Sequence, residues 1–468
     1  MSVTGERYSL TQQLADSWSK TSFDDIPTAV VDKVKDNILD TLAVALACVD
    51  TDEARRATAA MTTLAPQSSS GSSVWGMSYK LPPAQAALVN GTVTHSRDFD
   101  DGGGPGHAGS TVLPAVLAVG EAIGCDGRTL IEATIAGYDV GYRVLQALGG
   151  FAAATDRGWH TTGSMGSFAA AAGAAKCLGL EAEQFSHALG IAGSFTGGLW
   201  AFIEDSAMTK RLHPGKAGET GVDAALLARA GFTGPMRIFE AEWGGIYSTY
   251  NGGVATPEKA LEALGKEFRV ATSYIKPYAC CRGSHAAIDV LLDLVRTRGL
   301  TAEDIAGIEI YAAETHMSML AVEPVVTVFD AQFSLPYAAA LALCGGTLTL
   351  AEFDPPRMDD PRIRRTYDKI SMTADPTIGL EDGQRLEVTL LSGEHMTVRG
   401  VSPTDAKGSA ANPMTHAEVA TKAEVLLAPF GDDAAAQLIR VVENLEEMPD
   451  LSELLGALND RAPHARSY

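Results

Sequence analysis

The sequence lacks a cysteine framework, a surplus of basic residues and any long apolar run. Six cysteines stand at positions 48, 125, 177, 280, 281 and 344 of 468 residues. Two are adjacent and the rest isolated, which excludes a C-x-x-C metal pair and a disulfide scaffold and points to a reducing compartment. No apolar run reaches the roughly 18 residues of a membrane span, and MSVTGERYSLTQQLADSW has no signal-peptide core. The expected location is the cytoplasm. Basic residues are scarce: 36 Lys and Arg against 58 Asp and Glu give a net charge of −22. A surface of that sign repels phosphate backbones and anionic membranes, which excludes nucleic-acid binding through a basic face. It would repel an anionic substrate too, unless basic side chains gather at one place.

Nucleotide and hydrolase signatures are also missing. There is no G-x-x-x-x-G-K-[ST], no H-E-x-x-H and no G-x-S-x-G. The glycines of 102–106 follow no buried strand, so a nicotinamide or ATP enzyme is disfavoured and no cofactor or metal motif is present.

The composition that remains, 46% hydrophobic and 20% charged, is that of a globular protein, long enough for two or three domains. Pro27 precedes apolar residues at helical spacing: Val30, Val31, Val34, Ile38, Leu42 and Leu46. Segments 112–123, 129–148, 166–177, 182–199 and 221–230 are Ala-rich, which predicts closely packed helices. After about residue 271 the pattern changes. Short β-type runs at 308–312 and 386–391, with a return strand at 396–400, alternate with helical segments 284–298 and 330–344. From Thr415 the chain is helical again, and 432–460 holds eight acidic residues against a single arginine, a solvated face. The expected class is mainly α: an all-helical domain from 1–268 and 405–468, with a smaller α+β domain, 269–404, inserted before the tail.

Four polar clusters stand out. His95, Asp98, Asp100, Asp101 and His107 could form an acid/base site, a divalent-metal site, or a loop with helix caps. His160, within Gly-Trp-His-Thr-Thr-Gly, stands at a helix start where N–H groups can face an anion. Lys210, Arg211, His213 and Lys216 are either a surface patch or a carboxylate clamp. Lys276 to His285 contains Tyr278 and the adjacent Cys280 and Cys281, read as buried structural thiols ahead of a thiolate nucleophile near His285.

At these clusters the chain resembles the MmgE/PrpD family, which includes 2-methylcitrate dehydratases, cis-aconitate decarboxylases and iminodisuccinate epimerases. The resemblance also runs through Asp36-x-x-Leu39-Asp40-Thr41, Gly137-Tyr138-Asp139-Val140, Gly231-Phe232-Thr233-Gly234-Pro235, Asp330-Ala331-Gln332-Phe333-Ser334-Leu335-Pro336-Tyr337 and Lys407-Gly408…Asn412-Pro413-Met414. It implies a helical domain and a smaller α+β domain with the site in the cleft between them, and a homodimer. Carried over residue by residue, it implies catalytic roles for Asp98, His107, His160, Lys210 and His285, and substrate contacts from Arg211, His213 and Tyr278. The chain departs from many members at His107-Ala108-Gly109 and in the glycine loop 102–106, a wall of the implied cleft.

The implied activity is that of a cofactor-independent lyase on a small polycarboxylate, first of all a dehydratase of a 2-methylcitrate-like hydroxy acid. Decarboxylation, or epimerisation of a dicarboxylate, uses similar parts. Each makes or quenches a carbanion beside a carboxylate, which calls for fixed positive charge and for a histidine that titrates near working pH. On this reading Lys210, helped by Arg211 or His213, polarises a carboxylate; histidines among His107, His160 and His285 move protons; Asp98 orients one of them. The rivals are a non-catalytic binding protein on the same fold and a metal-dependent hydrolase using Asp98, Asp100, Asp101 and His107.

Overall fold

The computed structural model describes residues 8–65, 71–252, 254–431 and 433–459. Asp432 and Asp460 of the acidic segment, and residues 1–7, lie outside the described residues. The chain is mainly α-helical, with one four-stranded sheet and a two-residue ladder between Ser72–Ser73 and Lys80–Leu81.

Pro27 precedes the helix Thr28–Ala47, which buries Val31, Val34, Ile38, Leu42 and Leu46. Asp126 caps the helix Gly127–Leu148 by accepting the Thr129 N–H, and Gly149 ends it with φ 117°. The helix Gly166–Cys177 is nearly all Ala and Gly and is buried for almost its whole length. Its neighbours approach to backbone contact. A Cβ on Gly221 would stand 2.5 Å from Ala170, and one on Gly91 would stand 2.7 Å from Ser110 O and 2.8 Å from Gly215 Cα. The helices Pro83–His95, Ala108–Ile123 and Thr209–Arg229 therefore meet through glycine, which sets His95 at the end of one beside Lys210 at the start of another.

The sheet runs in the order Ile370–Ala374, Ile305–Ala312, Arg385–Leu390, His395–Arg399. The first two strands are parallel, with Ile308 opposite Ile370. The others are antiparallel, with Ile310 opposite Leu386 and Leu386 opposite Val398. Ile305, Ile308, Ile310, Leu386 and Val388 point inward, toward the helices His285–Arg298 and Leu335–Leu343 that cover one face. The strand Ile370–Ala374 has no counterpart in the sequence reading: its apolar alternation of Ile370, Met372 and Ala374 is short, and only Ile370 in it is fully buried.

Thr415 and Glu418 form a capping box at the start of the helix His416–Leu427, which packs on Thr28–Ala47 and returns the chain to the helical body. Ile275 N–H donates to Gly408 O at 3.1 Å, joining the two ends of the sheet-containing part. Among the described residues no helix is long and apolar enough to cross a membrane.

Candidate active site

The helix Pro83–His95 ends in a tight turn in which Asp98 takes φ 51°, a left-handed conformation uncommon away from glycine. Asp98 is buried, and three cations from two places in the chain meet it. Lys210 Nζ donates to its Oδ1 at 2.8 Å, Arg211 lies 3.4 Å from the same oxygen, and Lys276 Nζ is 3.2 Å from Oδ2. Arg211 also donates to Gln332 Oε1 at 2.9 Å.

Two histidines flank this carboxylate. His95 Nδ1 donates to Asp100 Oδ1 at 2.9 Å, which leaves Nε2 to accept from Lys210 Nζ at 2.7 Å. His107 precedes the helix Ala108–Ile123, with Nδ1 3.2 Å from Asp100 Oδ2 and Nε2 3.6 Å from Asp98 Oδ1. The two rings are 4.1 Å apart. Asp100 thus faces the Nδ1 of both, favouring the tautomer that presents Nε2 to the cluster. His95 has no side-chain exposure, whereas His107 keeps 12%, so His107 is the member a solute can reach.

The charges are strongly tuned. Burial pushes the Asp98 carboxyl up, but Lys210, Lys276 and Arg211 reverse this and hold it well below the usual range. Burial lowers His95 and His107, with Lys210 adding to the effect on both, so both are neutral at neutral pH. Burial, with Arg211 and Lys276 nearby, brings Lys210 down to about 8 despite Asp98. Three fixed cations outnumber the two carboxylates, and the excess can receive an anion.

A second pair adjoins it. His160 Nδ1 is 2.8 Å from His213 Nδ1, with the Trp200 and Phe202 rings 5.1 and 5.3 Å from His160. Burial and Lys210 bring His213 down to about 4 and hold His160 well below its ordinary value. The helix after His160, Thr161–Ser164, has four residues, too short for the anion site expected from its amide groups.

His285 and Tyr278 are placed differently. His285 is fully buried, accepting from Arg282 at 3.1 Å on Nδ1 and donating to Cys280 O at 3.3 Å from Nε2. Tyr278 packs 5.0 Å from the His285 ring and gives its hydroxyl to Asp289 at 2.7 Å. It lines a shallow surface cavity of about 420 Å³ with Asp289, Arg296 and Lys407, so that hydroxyl is already committed away from the Asp98 cluster. Burial raises the thiols of Cys280 and Cys281, which fits structural cysteines and not a thiolate.

Two clusters divide in space. Lys216 turns outward to Glu219 with 63% of its side chain exposed, so only Lys210, Arg211 and His213 of that run face inward. Asp101 turns away from Asp98: it accepts from Gly109 N–H at 2.8 Å, Tyr138 at 2.5 Å and Asn37. It is the helix-capping aspartate, and burial beside Asp40 pushes it up to about 7. The glycine loop also packs inward. A Cβ on Gly102 would strike the Tyr274 ring, one on Gly104 would sit 3.1 Å from Tyr138 O, and one on Gly106 2.5 Å from Thr162 Oγ1. These glycines serve close packing.

His95, Asp100 and Lys276 lie within the polar clusters of the sequence, but the resemblance assigns none of them a catalytic or substrate-binding role. His95 reads as the end of an apolar helix, and Lys276 reaches Asp98 across 178 residues of chain. The signal for His95 was its spacing of three from Asp98 at a helix end.

Ligand atoms of His95, Asp98, Asp100 and His107 lie within 4.8 Å of one another, a set that could hold a divalent ion. The ammonium groups of Lys210 and Lys276 already stand on both Asp98 oxygens, where they compensate its charge and would repel such an ion. The donor set fits ammonium better than metal.

The MmgE/PrpD N-terminal domain model matches residues 12–257 and the MmgE/PrpD C-terminal domain model residues 278–447. The chain is 30% identical over 461 residues to a cis-aconitate decarboxylase-like protein of Aspergillus oryzae, covering 93% of this chain and 94% of that one. It is 28% identical over 413 residues to the cis-aconitate decarboxylase of Homo sapiens, covering 84% and 83%. A mitochondrial 2-methylcitrate dehydratase of Yarrowia lipolytica is 24% identical over 371 residues, covering 69% and 66%.

Proposed function

Because this chain belongs to the MmgE/PrpD family, we propose that it is a lyase acting on a small polycarboxylate without a cofactor, with decarboxylation of a cis-aconitate-type acid as the first reading. One observation carries the chemistry: Lys210 joins Asp98 and His95 in a buried cluster, and the reachable His107 lies beside them. Relatives matched over more than nine-tenths of the chain and named for that reaction support the choice.

Lys210, Arg211 and Lys276 receive a substrate carboxylate and stabilise charge that spreads into it. Loss of CO2 breaks a carbon–carbon bond, and its electron pair moves through the conjugated system to a carbon that takes a proton. His107 delivers that proton from Nε2. An incoming carboxylate raises the proton affinity of His107, offsetting its burial. His160 and His213 hold a second carboxylate arm.

Dehydration of a 2-methylcitrate-type hydroxy acid is the second reading, favoured by the neutral state of His107. There the unprotonated Nε2 removes the proton next to the carboxylate, and a protonated neighbour, Lys210, releases the hydroxyl as water. A cytoplasmic homodimer, the homodimer being what the family resemblance implies, completes the proposal.

Proton NMR in D2O with cis-aconitate, citrate, 2-methylcitrate and succinate-type acids tests this. Deuterium in a product, with CO2 or water lost, is expected. No turnover and no exchange across the panel would leave a binding protein, and loss of activity on chelation would revive the metal-dependent hydrolase.

A further inference from the structure

A second buried ion pair stands next to the cluster and takes no part in the chemistry above. Lys422, in the returning helix His416–Leu427, lies 2.6 Å from Asp40 Oδ1 in the helix Thr28–Ala47. Asp40 is 1% exposed and Lys422 8%. The ammonium does more than neutralise Asp40. It donates to Phe99 O at 2.8 Å and to Lys276 O at 3.0 Å, and lies 3.7 Å from the centre of the Phe99 ring.

Those two carbonyls belong to the main chains that carry the opposed charges of the site. Phe99 follows Asp98, and Lys276 bears the ammonium that meets the Asp98 carboxylate. Lys276 itself donates to Asp98 O at 2.7 Å. Two lysines therefore hold the consecutive carbonyls of Asp98 and Phe99, at the point where Asp98 takes φ 51°. A left-handed non-glycine residue persists only when its surroundings over-determine it, and these two clamps are such surroundings.

We propose that Lys422, with Asp40 as its counter-ion, is a positioning residue that sets the spacing between Asp98 and Lys276. Its effect on rate rests on the lyase reading; the positioning does not. A pair that merely tied the last helices to the body could be replaced by neutral side chains of similar shape without consequence at the site. A positioning pair could not.

Lys422→Met alone would strand a buried carboxylate and threaten folding. The test is therefore Asp40→Asn/Lys422→Met, which removes both charges, with Lys422→Arg as the conservative variant. Hydrogen exchange by mass spectrometry is read on 97–103 and 274–280, beside steady-state kinetics on whichever acid the wild type consumes. The double variant is expected to stay folded, with exchange about tenfold faster in those two segments and unchanged elsewhere. Its kcat is expected to fall about 10- to 100-fold while KM moves less than about threefold, and Lys422→Arg to recover most of the rate. A folded double variant with wild-type exchange in both segments overturns the proposal, as does one whose exchange rises uniformly. If the wild type consumes no acid, the lyase reading fails, and the exchange pattern alone decides the role of Lys422.

Discussion

His160 and His213 face each other Nδ1 to Nδ1 at 2.8 Å, so a single proton serves both nitrogens. One imidazole donates and the other accepts, which fixes opposite tautomers and leaves no room for a second proton without repulsion. His213→Asn is expected to free His160 to turn and to raise KM about tenfold or more with a smaller change in kcat, read by initial-rate kinetics.

The buried histidines make the fold sensitive to acid. Their folded-state values are depressed, His213 to about 4 from an ordinary 6.5, and His95, His160 and His285 in the same direction. The unfolded chain therefore binds more protons between about pH 6.5 and 4. The stability these groups contribute is present above 6.5 and is lost as pH falls through that window. Asp101, raised to about 7, works in the opposite direction, as do Asp40 and Asp223, which burial also raises, against a larger number of depressed histidines. Melting temperature is expected to drop steadily from pH 7 to pH 4.5 in calorimetry; a flat profile would contradict the buried, neutral histidines.

Lys210 should dominate the rate. Lys210→Ala removes the donor shared by Asp98 and His95 and is expected to cost about a thousandfold in kcat, with circular dichroism confirming the fold. Near-normal turnover would refute the mechanism.

The same lysine predicts an alkaline limit. With Lys210 at about 8, kcat/KM should fall as pH rises through that value and the ammonium is lost. In Lys210→Arg the alkaline limb should disappear, because the guanidinium stays charged. A limb unchanged in position would assign it to another group.

Asp100→Asn tests the tautomers of His95 and His107. The amide can donate toward an Nδ1, which favours the wrong ring form, and a loss of about a hundredfold or more in kcat is expected with KM little changed.

Helical periodicity showed the Ala-rich packing and the helix after Pro27, and residue types showed where polar groups gather. Periodicity could not show which of them meet. Asp98, Asp100 and Asp101 are near neighbours in sequence, yet the left-handed turn at Asp98 helps send two of them to the cluster and one to cap the Ala108–Ile123 helix. Lys210 and Lys216 lie on the same helix, and its twist buries one and exposes the other. Lys276, Lys422 and Gln332 reach the cluster only through long-range folding, which spacing does not encode. Tyr278 and His285 were carried over from resemblance, and their hydrogen bonds to Asp289, Arg282 and Cys280 depend on the fold of their own part of the chain.

The glycine contact between the helices Pro83–His95 and Thr209–Arg229 divides the site by origin. Gly91 and Gly215 leave no slack between these helices, so His95 and Lys210 form a fixed anvil. Lys276 and Gln332 arrive from the other side of the chain, as a hammer. Were the two parts to draw apart, His95 and Lys210 would keep their places while Asp98 lost one of its cations and the clamp on its carbonyl. The electrical character of the site is thus coupled to the separation of the two halves of the molecule.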